Sequence, residues 1–286
     1  MRSMLTALFI LLALIGSTAT AKPLPANLDA RMFVNGTVTV SEAGRVLDHR
    51  IDTEVDAQIR ELIDGAVSRW LFEPIEVDGE IVQFTSDVRI TLHGLTTGSE
   101  GELIVRVEDV VFTGTRRNGI NALEHDTSIS YRKIIRPAYP GNMGLRGVQG
   151  ETAVALRIGR DGKVIDKAIL YTDLVGTSNS ESELASARKA FEKSALRVVG
   201  HWTFNVRPDA FKPGEDDTTV LVPLAYSMRG SERRWLTPGH WNIITRGQRQ
   251  RAEWLDKDEL AAQFSEDGSG TSWPVRLMTQ PDGTPL

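Results

Sequence analysis

Alternating apolar residues flank a glycine twice along the chain, at a constant separation of 118 residues. The first segment spans residues 33–51 and the second spans residues 152–169. The positions that align are Val38, Val40, Gly44, Val46 and Ile51 with Leu156, Ile158, Gly162, Val164 and Ile169. Alternation is typical of a half-buried strand, and glycine readily adopts the positive φ that a tight turn needs. Each segment therefore predicts a β-hairpin.

A helical pattern follows each hairpin and ends in a Trp-x-Phe unit. The apolar positions of the two predicted helices are Val55, Ile59, Leu62, Ile63, Ala66 and Trp70, and Leu184, Ala187, Phe191, Ala195, Val198 and Trp202. Their spacing places each set on one helical face, and we expect Trp70 and Trp202 to be core residues. A third strand is predicted at residues 81–92 and again at 219–226. In the second copy, a polar stretch starting at Asp173 predicts a surface loop before the helix.

The repeated order strand–strand–helix–strand predicts an α+β fold with two tandem small domains, each an antiparallel sheet with one helix. We assign residues 22–93 to the first domain, 94–131 to a connecting strand and loop, and 132–228 to the second domain. Within the connection, residues 102–112 alternate in part like a strand and are expected to extend the first sheet.

The last part of the chain, residues 229–286, has no counterpart elsewhere in the sequence and predicts an irregular tail. It contains Trp235, Trp241, Trp254 and Trp273, four of the six tryptophans. Residues 229–251 hold six arginines and one acidic residue. This composition favours two interpretations: a tail that docks its tryptophans onto the domains, or one that contacts an anionic membrane surface or a partner. The polar, glycine-rich run 265–272 favours disorder.

The N-terminal residues 1–21 differ from the rest of the chain. Arg2 precedes an apolar stretch at residues 4–16, and Ala19-Thr20-Ala21 has the small-x-small form of a signal peptidase site. The apolar stretch is shorter than the roughly 18–20 residues that span a bilayer as a helix. We therefore predict a cleaved signal peptide and a periplasmic protein. An uncleaved anchor in the inner membrane is the alternative.

The composition excludes several kinds of chemistry. There is no cysteine, so disulfide scaffolds, cysteine-ligated metals and thiol catalysis are ruled out. The net charge of −5 gives no basic character that would favour nucleic acid. The five histidines show no metal-ligand spacing, and no nucleophile elbow or phosphate-binding loop occurs. The sequence therefore predicts a non-enzymatic protein without a cofactor or a nucleic-acid partner.

Several motifs of the second copy occur together. They are Pro137-Ala138-Tyr139-Pro140, Gly147, Asp161-Gly162-Lys163-Val164, Trp202-Thr203-Phe204 and the strand at residues 220–224. In this order they resemble the C-terminal domain of TonB-type energy transducers, over residues 132–226. Residues 31–92 resemble a second, more diverged copy that lacks the Pro-x-Tyr-Pro opening.

The resemblance implies a protein-binding module for envelope proteins, including TonB-dependent outer-membrane receptors. In that family a receptor segment adds as a strand beside the last strand of the domain. Carried onto this chain, the binding positions are Thr219, Val220, Leu221, Val222, Leu224 and Tyr226. Pro223 within this strand indicates a sheet edge, because proline lacks the N–H of a two-sided ladder. The same proline could instead protect the edge from pairing.

The chain also departs from the family pattern. Transducers of this type have a membrane helix containing a histidine and a long proline-rich spacer. Residues 1–21 contain no histidine, and the 12 prolines are scattered. Two alternatives stay open beside a periplasmic binding module. One is a membrane-anchored transducer for outer-membrane receptors. The other is a structural envelope protein with no free sheet edge, which could pair with a second copy through its edges.

Overall fold

The computed structural model describes residues 29–77, 79–97, 102–117, 129–176, 180–211, 214–228, 234–254, 262–263, 275 and 277–284. The predicted signal peptide at residues 1–21 and the glycine-rich run at 265–272 lie outside these residues. Among the helices in the described ranges, none has the length and apolar character needed to cross a membrane.

The described residues between 29 and 117 form six strands and one helix. Their bounds are β1 Asp29–Val40, β2 Val46–Ile51, α1 Ala57–Val67, β3 Ile75–Val77, β4 Glu80–Val82, β5 Phe84–Thr97 and β6 Glu102–Arg117. Helix α1 begins after Asp56, whose carboxylate accepts a hydrogen bond from the Ile59 N–H at 2.9 Å and caps the free end of the helix. The long strand β6 pairs with β5, so the predicted extension of the first sheet is confirmed.

The second part contains the remaining elements. Their bounds are β7 Ile129–Lys133, α2 Gly141–Gly144, β8 Gln149–Gly159, β9 Val164–Val175, α3 Glu181–Val199, β10 Thr203–Val206, β11 Asp217–Tyr226, β12 Asn242–Thr245 and β13 Ala262–Gln263, with 3-10 turns at Pro208–Ala210 and Arg234–Leu236. The chain is therefore a mixed α+β protein dominated by antiparallel sheet, as the sequence predicts. The expectation of a surface loop starting at Asp173 is wrong, because β9 extends to Val175 and Asp173 is buried within it.

Within the described residues, nine strands form one sheet in the order β13-β11-β8-β9-β12-β1-β5-β6, and β2 also pairs with β1. Strands β7 and β10 form a separate pair, as do β3 and β4. The four-residue strand β12 joins the two halves, because it pairs with β1 on one side and with β9 on the other. The sequence predicts a sheet for each copy, whereas the copies share one sheet. The tandem domains and their boundaries stay a prediction.

The two hairpin turns have the same geometry. Gly44 has a φ of 74° and Gly162 a φ of 77°. In each turn the glycine carbonyl accepts a hydrogen bond of 2.8 Å from the N–H of the phenylalanine that ends the Trp-x-Phe unit, Phe72 or Phe204. A Cβ on either glycine would lie 2.0 Å from the carbonyl oxygen of the same phenylalanine. Both turns therefore require glycine for its conformation and for its lack of a side chain.

A core cluster lies under each half of the sheet. Helix α1 buries Ile59, Ile63, Ala66 and Val67 in the first cluster, and α3 buries Leu184, Ala187, Phe191, Ala195 and Val199 in the second. Trp70 and Trp202 are buried in these clusters, which confirms that they are core residues. Burial of apolar area on one face of the sheet is the main stabilising contribution in such an arrangement.

The region after residue 229 packs onto the rest of the protein where it is described. Trp235 and Leu236 are buried against Phe33 of β1, and Trp241 packs against the first core cluster. Residues 277–284, which we call the C-terminal segment, lie against the first half. These contacts favour the docked tail over a tail free to meet a membrane surface. Trp273 lies outside the described residues.

Candidate functional site

Strand β11, the predicted binding strand, lies near one end of the sheet. It pairs antiparallel with β8 at all ten positions, from Asp217 to Tyr226. On its other edge, within the described residues, it pairs only with β13, in parallel, at Val220 and Leu221. The remaining backbone groups of this outer edge have no strand partner in the part of the chain that the structure describes.

Pro223 indicates which backbone groups of β11 face outward. Successive residues of a strand direct their N–H and C=O groups alternately to its two edges. Since β8 pairs with β11 along its whole length, the missing N–H of proline is tolerated best at an outward-facing position. Leu221 and Ala225, two residues away on either side, then also direct their N–H and C=O groups to the outer edge.

The side chains of β11 divide between core and surface. Val220, Val222, Leu224 and Tyr226 are buried in the second core cluster, which also contains residues of α3 and of the neighbouring strands. Thr219 is also buried, and Leu221 is half-buried. A strand added at this edge would therefore meet backbone groups and the Leu221 side chain. The predicted binding role of the six residues stays a prediction.

Tyr226 illustrates the structural role of this strand. Its ring stacks on Phe191 of α3 with centroids 4.4 Å apart and an angle of 11°. Its hydroxyl donates a hydrogen bond of 2.9 Å to the Phe191 carbonyl oxygen. Burial raises the pKa of the Tyr226 hydroxyl to about 12, so the group stays protonated and donates this hydrogen bond at neutral pH.

The Pro-x-Tyr-Pro motif fixes the chain that leads into β8. The Tyr139 ring packs edge-on against Phe191 at 5.8 Å, and its hydroxyl donates to the Val148 carbonyl. The Ser194 hydroxyl of α3 donates to the Ala138 carbonyl. The motif thus holds this segment on α3, and its contacts are structural.

A buried ionic cluster that the sequence does not predict lies where the two halves meet. The Arg31 guanidinium of β1 and the Glu151 carboxylate of β8 are 3.5 Å apart, and both side chains are buried. The Tyr171 hydroxyl of β9 donates to the same carboxylate at 3.3 Å. These contacts link strands from both halves on one face of the sheet. The sequence feature that could have indicated this cluster is a charged residue, Arg31 or Glu151, within a strand whose neighbouring positions are apolar.

The arginines that follow β12 extend this cluster. Arg249 donates two hydrogen bonds to the Asp173 carboxylate, at 2.6 and 2.9 Å, and lies 4.0 Å above the Tyr171 ring. Arg246 donates to the Glu108 carboxylate at 2.8 Å. Burial raises the pKa of the Glu108 carboxyl, but the hydrogen bond and charge of Arg246 outweigh it and lower the pKa overall. These two arginines therefore pair with carboxylates of the sheet.

An open cleft of about 640 Å³ lies between α3 and the segment after β12. Its lining includes Glu181, Arg188, Lys189, Glu192 and Arg246. The charges are of both signs, and the Arg188 guanidinium donates to the Arg246 carbonyl at 2.9 Å and to Glu181 at 3.4 Å. The cleft has no dominant charge that would select an ionic ligand.

No group of three His, Cys, Asp or Glu side chains in the described ranges could hold a metal ion. In the part of the chain that the structure describes, two histidines pair with carboxylates: His93 Nε2 lies 2.5 Å from Asp29 Oδ1, and His49 Nε2 lies 2.8 Å from Asp64 Oδ1. Neither pair lines the cleft beside α3. The absence of enzymatic activity stays a prediction.

Comparison with known proteins gives a weak structural similarity. No family model and no curated protein matches the chain. Among solved structures, the solution NMR structure of the Pseudomonas aeruginosa TonB CTD is 18% identical, covers 38% of this chain and 95% of that chain, and has a TM-score of 0.28. A similarity at this level supports no inference about function.

Proposed function

We propose that this chain is a periplasmic protein-binding module that pairs with extended peptide segments of envelope proteins by β-strand addition to β11. The observation that carries the proposal is the outer edge of β11, where two of ten positions pair with described residues of the chain. An edge strand offers a row of N–H and C=O groups that an extended peptide can bind.

Two features of the strand support this proposal. First, β13 pairs with it in parallel at Val220 and Leu221, so the edge is geometrically able to receive a strand. Second, the inner edge is held by ten pairs to β8, and the buried side chains anchor β11 in the core. A rigid strand loses little conformational entropy when a peptide binds, which favours affinity.

The binding test compares two variants at Ala225, an outward-facing position that β13 does not pair with. Ala225→Pro removes the N–H that an added strand would use, whereas Ala225→Gly keeps that N–H and removes only Cβ. The probes are synthetic peptides from the periplasmic segments of outer-membrane receptors, measured by fluorescence anisotropy. We expect binding to the wild type and to Ala225→Gly, and at least about a tenfold loss in folded Ala225→Pro.

Three results would contradict the proposal: no receptor peptide binds the wild type, a bound peptide leaves the amide signals of β11 unchanged in NMR, or folded Ala225→Pro binds as well as Ala225→Gly. Symmetric association of two copies through β11, with no peptide binding, would favour the structural envelope protein.

The proposed location depends on residues 1–21 and has its own test. Mass spectrometry of periplasmic and membrane fractions gives the N-terminus of the native protein. A soluble chain that starts near Lys22 is expected. An intact Met1 in the inner-membrane fraction would instead favour the anchored transducer.

A further inference from the structure

The Trp-x-Phe units of the two halves are each covered by an extended segment, but the segments come from different parts of the chain. In the second half, β7 precedes the hairpin and pairs antiparallel with β10, so that Tyr131 lies opposite Phe204. In the first half, Leu277 of the C-terminal segment forms the antiparallel bridge to Phe72. The first half is thus completed by residues about 200 positions further along the chain.

The two arrangements agree in detail. The Trp202 indole N–H donates to the Ile135 carbonyl at 2.9 Å, and the Trp70 indole N–H donates to the Pro281 carbonyl at 2.9 Å. In both halves this carbonyl lies four residues after the residue that pairs with the phenylalanine. The two covering segments, Tyr-Arg-Lys-Ile-Ile and Leu-Met-Thr-Gln-Pro, share no residue at any position.

The surrounding rings are also equivalent. Tyr131 packs edge-on against Trp202 with centroids 5.6 Å apart and an angle of 84°. Phe112 of β6 packs against Trp70 at 5.7 Å and 82°. In the second half the ring thus comes from the covering segment, and in the first half it comes from the sheet. The Trp70 groove therefore has its aromatic wall in place without the C-terminal segment.

Backbone hydrogen bonds between described residues hold the C-terminal segment in this groove. The Met278 N–H donates to the Leu71 carbonyl at 2.7 Å, and Arg69 donates to the Asp282 carbonyl at 2.8 Å. The Trp70 indole N–H donates to the Pro281 carbonyl at 2.9 Å. Met278 is 52% exposed. All three bonds use backbone groups of the segment, so they depend little on its sequence.

We propose that the groove formed by Arg69, Trp70 and Leu71 is a second peptide-binding site, and that the C-terminal segment occupies it in competition with a partner protein. The ligand is an extended peptide with a large apolar residue four positions before the carbonyl that meets the indole. Two unrelated segments from opposite directions along the chain fill this type of groove, so it recognises backbone geometry and one apolar side chain. This site is distinct from the outer edge of β11.

Competition determines the expected affinities. A tethered segment acts as a ligand at an effective concentration of about 1 mM. A peptide added in solution therefore binds the wild type weakly, because only the fraction of molecules with an open groove is competent. Weakening the segment raises that fraction and tightens the apparent affinity by the same factor.

The test uses the full chain and a fluorescein-labelled peptide with the sequence of residues 275–286. Two substitutions weaken the segment without touching the groove. Met278→Pro removes the N–H that binds Leu71, and Gly283→Ala places a Cβ 2.7 Å from the Ala66 carbonyl oxygen at a φ of 80°. Gly141→Ala is the matched control, because its Cβ would meet nothing within 4 Å.

We expect the double variant to bind the peptide at least about tenfold more tightly than the wild type, and Gly141→Ala to match the wild type. Adding Arg69→Ala to the double variant should then weaken binding. Equal affinity of the wild type and the folded double variant for the peptide would overturn the proposal. A folded double variant that does not bind the peptide at about 1 mM would also overturn it.

A measurement on the wild type covers the case in which the double variant fails to fold. In protein labelled with 15N, excess unlabelled peptide should displace the segment and shift the Met278 amide signal. A Met278 signal that stays unchanged at about 1 mM peptide would count decisively against a displaceable segment.

Discussion

The two hairpin turns offer a quantitative test of the repeat, through the paired substitutions Gly44→Ala and Gly162→Ala. The φ angles differ by 3°, and at both sites the new Cβ would lie 2.0 Å from a phenylalanine carbonyl oxygen. Each turn also accepts one hydrogen bond of 2.8 Å from that phenylalanine, at Phe72 or Phe204. If the turns are physically equivalent, the two substitutions should destabilise the protein to a similar extent.

The magnitude follows from two contributions and one offset. A non-glycine residue at this φ costs about 1–2 kcal/mol, and moving the phenylalanine carbonyl away disrupts a hydrogen bond that contributes about 1 kcal/mol. Alanine restricts the unfolded chain and returns about 0.4–1 kcal/mol. The net loss in the free energy of unfolding is about 2 kcal/mol for each variant, equivalent to a decrease in Tm of about 4–8 °C.

Thermal and urea unfolding of the wild type and both variants, followed by circular dichroism and tryptophan emission, measure this loss. Gly214→Ala is an informative control: its φ is 87°, but its Cβ would meet nothing within 4 Å. Gly214→Ala therefore has the cost of a positive φ but no steric clash, and it should destabilise the protein less than the hairpin variants do. A change below about 0.5 kcal/mol in either hairpin variant would refute the reasoning, since surface substitutions of no consequence produce changes of that size.

Three further perturbations address the ionic cluster and the indole bond. Arg249→Ala leaves the buried Asp173 carboxylate without its two guanidinium donors, and we expect a loss of about 3 kcal/mol in urea unfolding; an unchanged midpoint would show that the pair contributes nothing. Burial raises the pKa of Glu108, but Arg246 lowers it by more, so the pKa of the folded state lies below the unfolded value of about 4.3. Ionised Glu108 therefore stabilises the fold above the unfolded pKa, and this contribution is lost as the pH falls through the folded-state pKa. The difference in urea midpoint between the wild type and Glu108→Gln should therefore shrink below about pH 4, and a difference independent of pH would contradict this assignment. Trp202→Phe keeps an aromatic ring but removes a hydrogen bond of 2.9 Å, for which we expect a loss of about 1–2 kcal/mol by the same assay, whereas a neutral effect would argue that the bond has no net value.

The sequence predicts the parts of the fold that depend on local chemistry. The hairpins follow from apolar alternation around Gly44 and Gly162, and the helices follow from spacings of three and four residues. Strand β12 shows where this reasoning fails. It has four residues and pairs at three positions with β1 and two with β9. A strand this short has no distinct period, so its place between the halves depends on tertiary packing.

In the candidate site, too, features set by single residues can be predicted from the sequence, whereas contacts between distant strands cannot. Pro223 indicates a strand near the edge of a sheet, because the missing N–H is a property of the residue itself. The burial of Val220 and Val222 also follows from alternation. The approach of Arg31 to Glu151, 120 positions away, does not. Ion pairs across a sheet depend on strand order, and strand order cannot be read from a pattern within one strand.

The C-terminal segment shows why an internal repeat can hide its own completion. A search at a constant offset finds the hairpins, since Gly44 and Gly162 have the same position relative to their strands. The covering segments have no constant offset: Tyr131 precedes its hairpin, whereas Leu277 follows the whole first half. Their sequences also differ at each position, because the groove binds mainly backbone groups. Equivalent structure here needs neither equivalent sequence nor equivalent order. The covering residues of the first half thus follow its hairpin instead of preceding it, yet the carbonyl of Pro281 meets Trp70 as that of Ile135 meets Trp202.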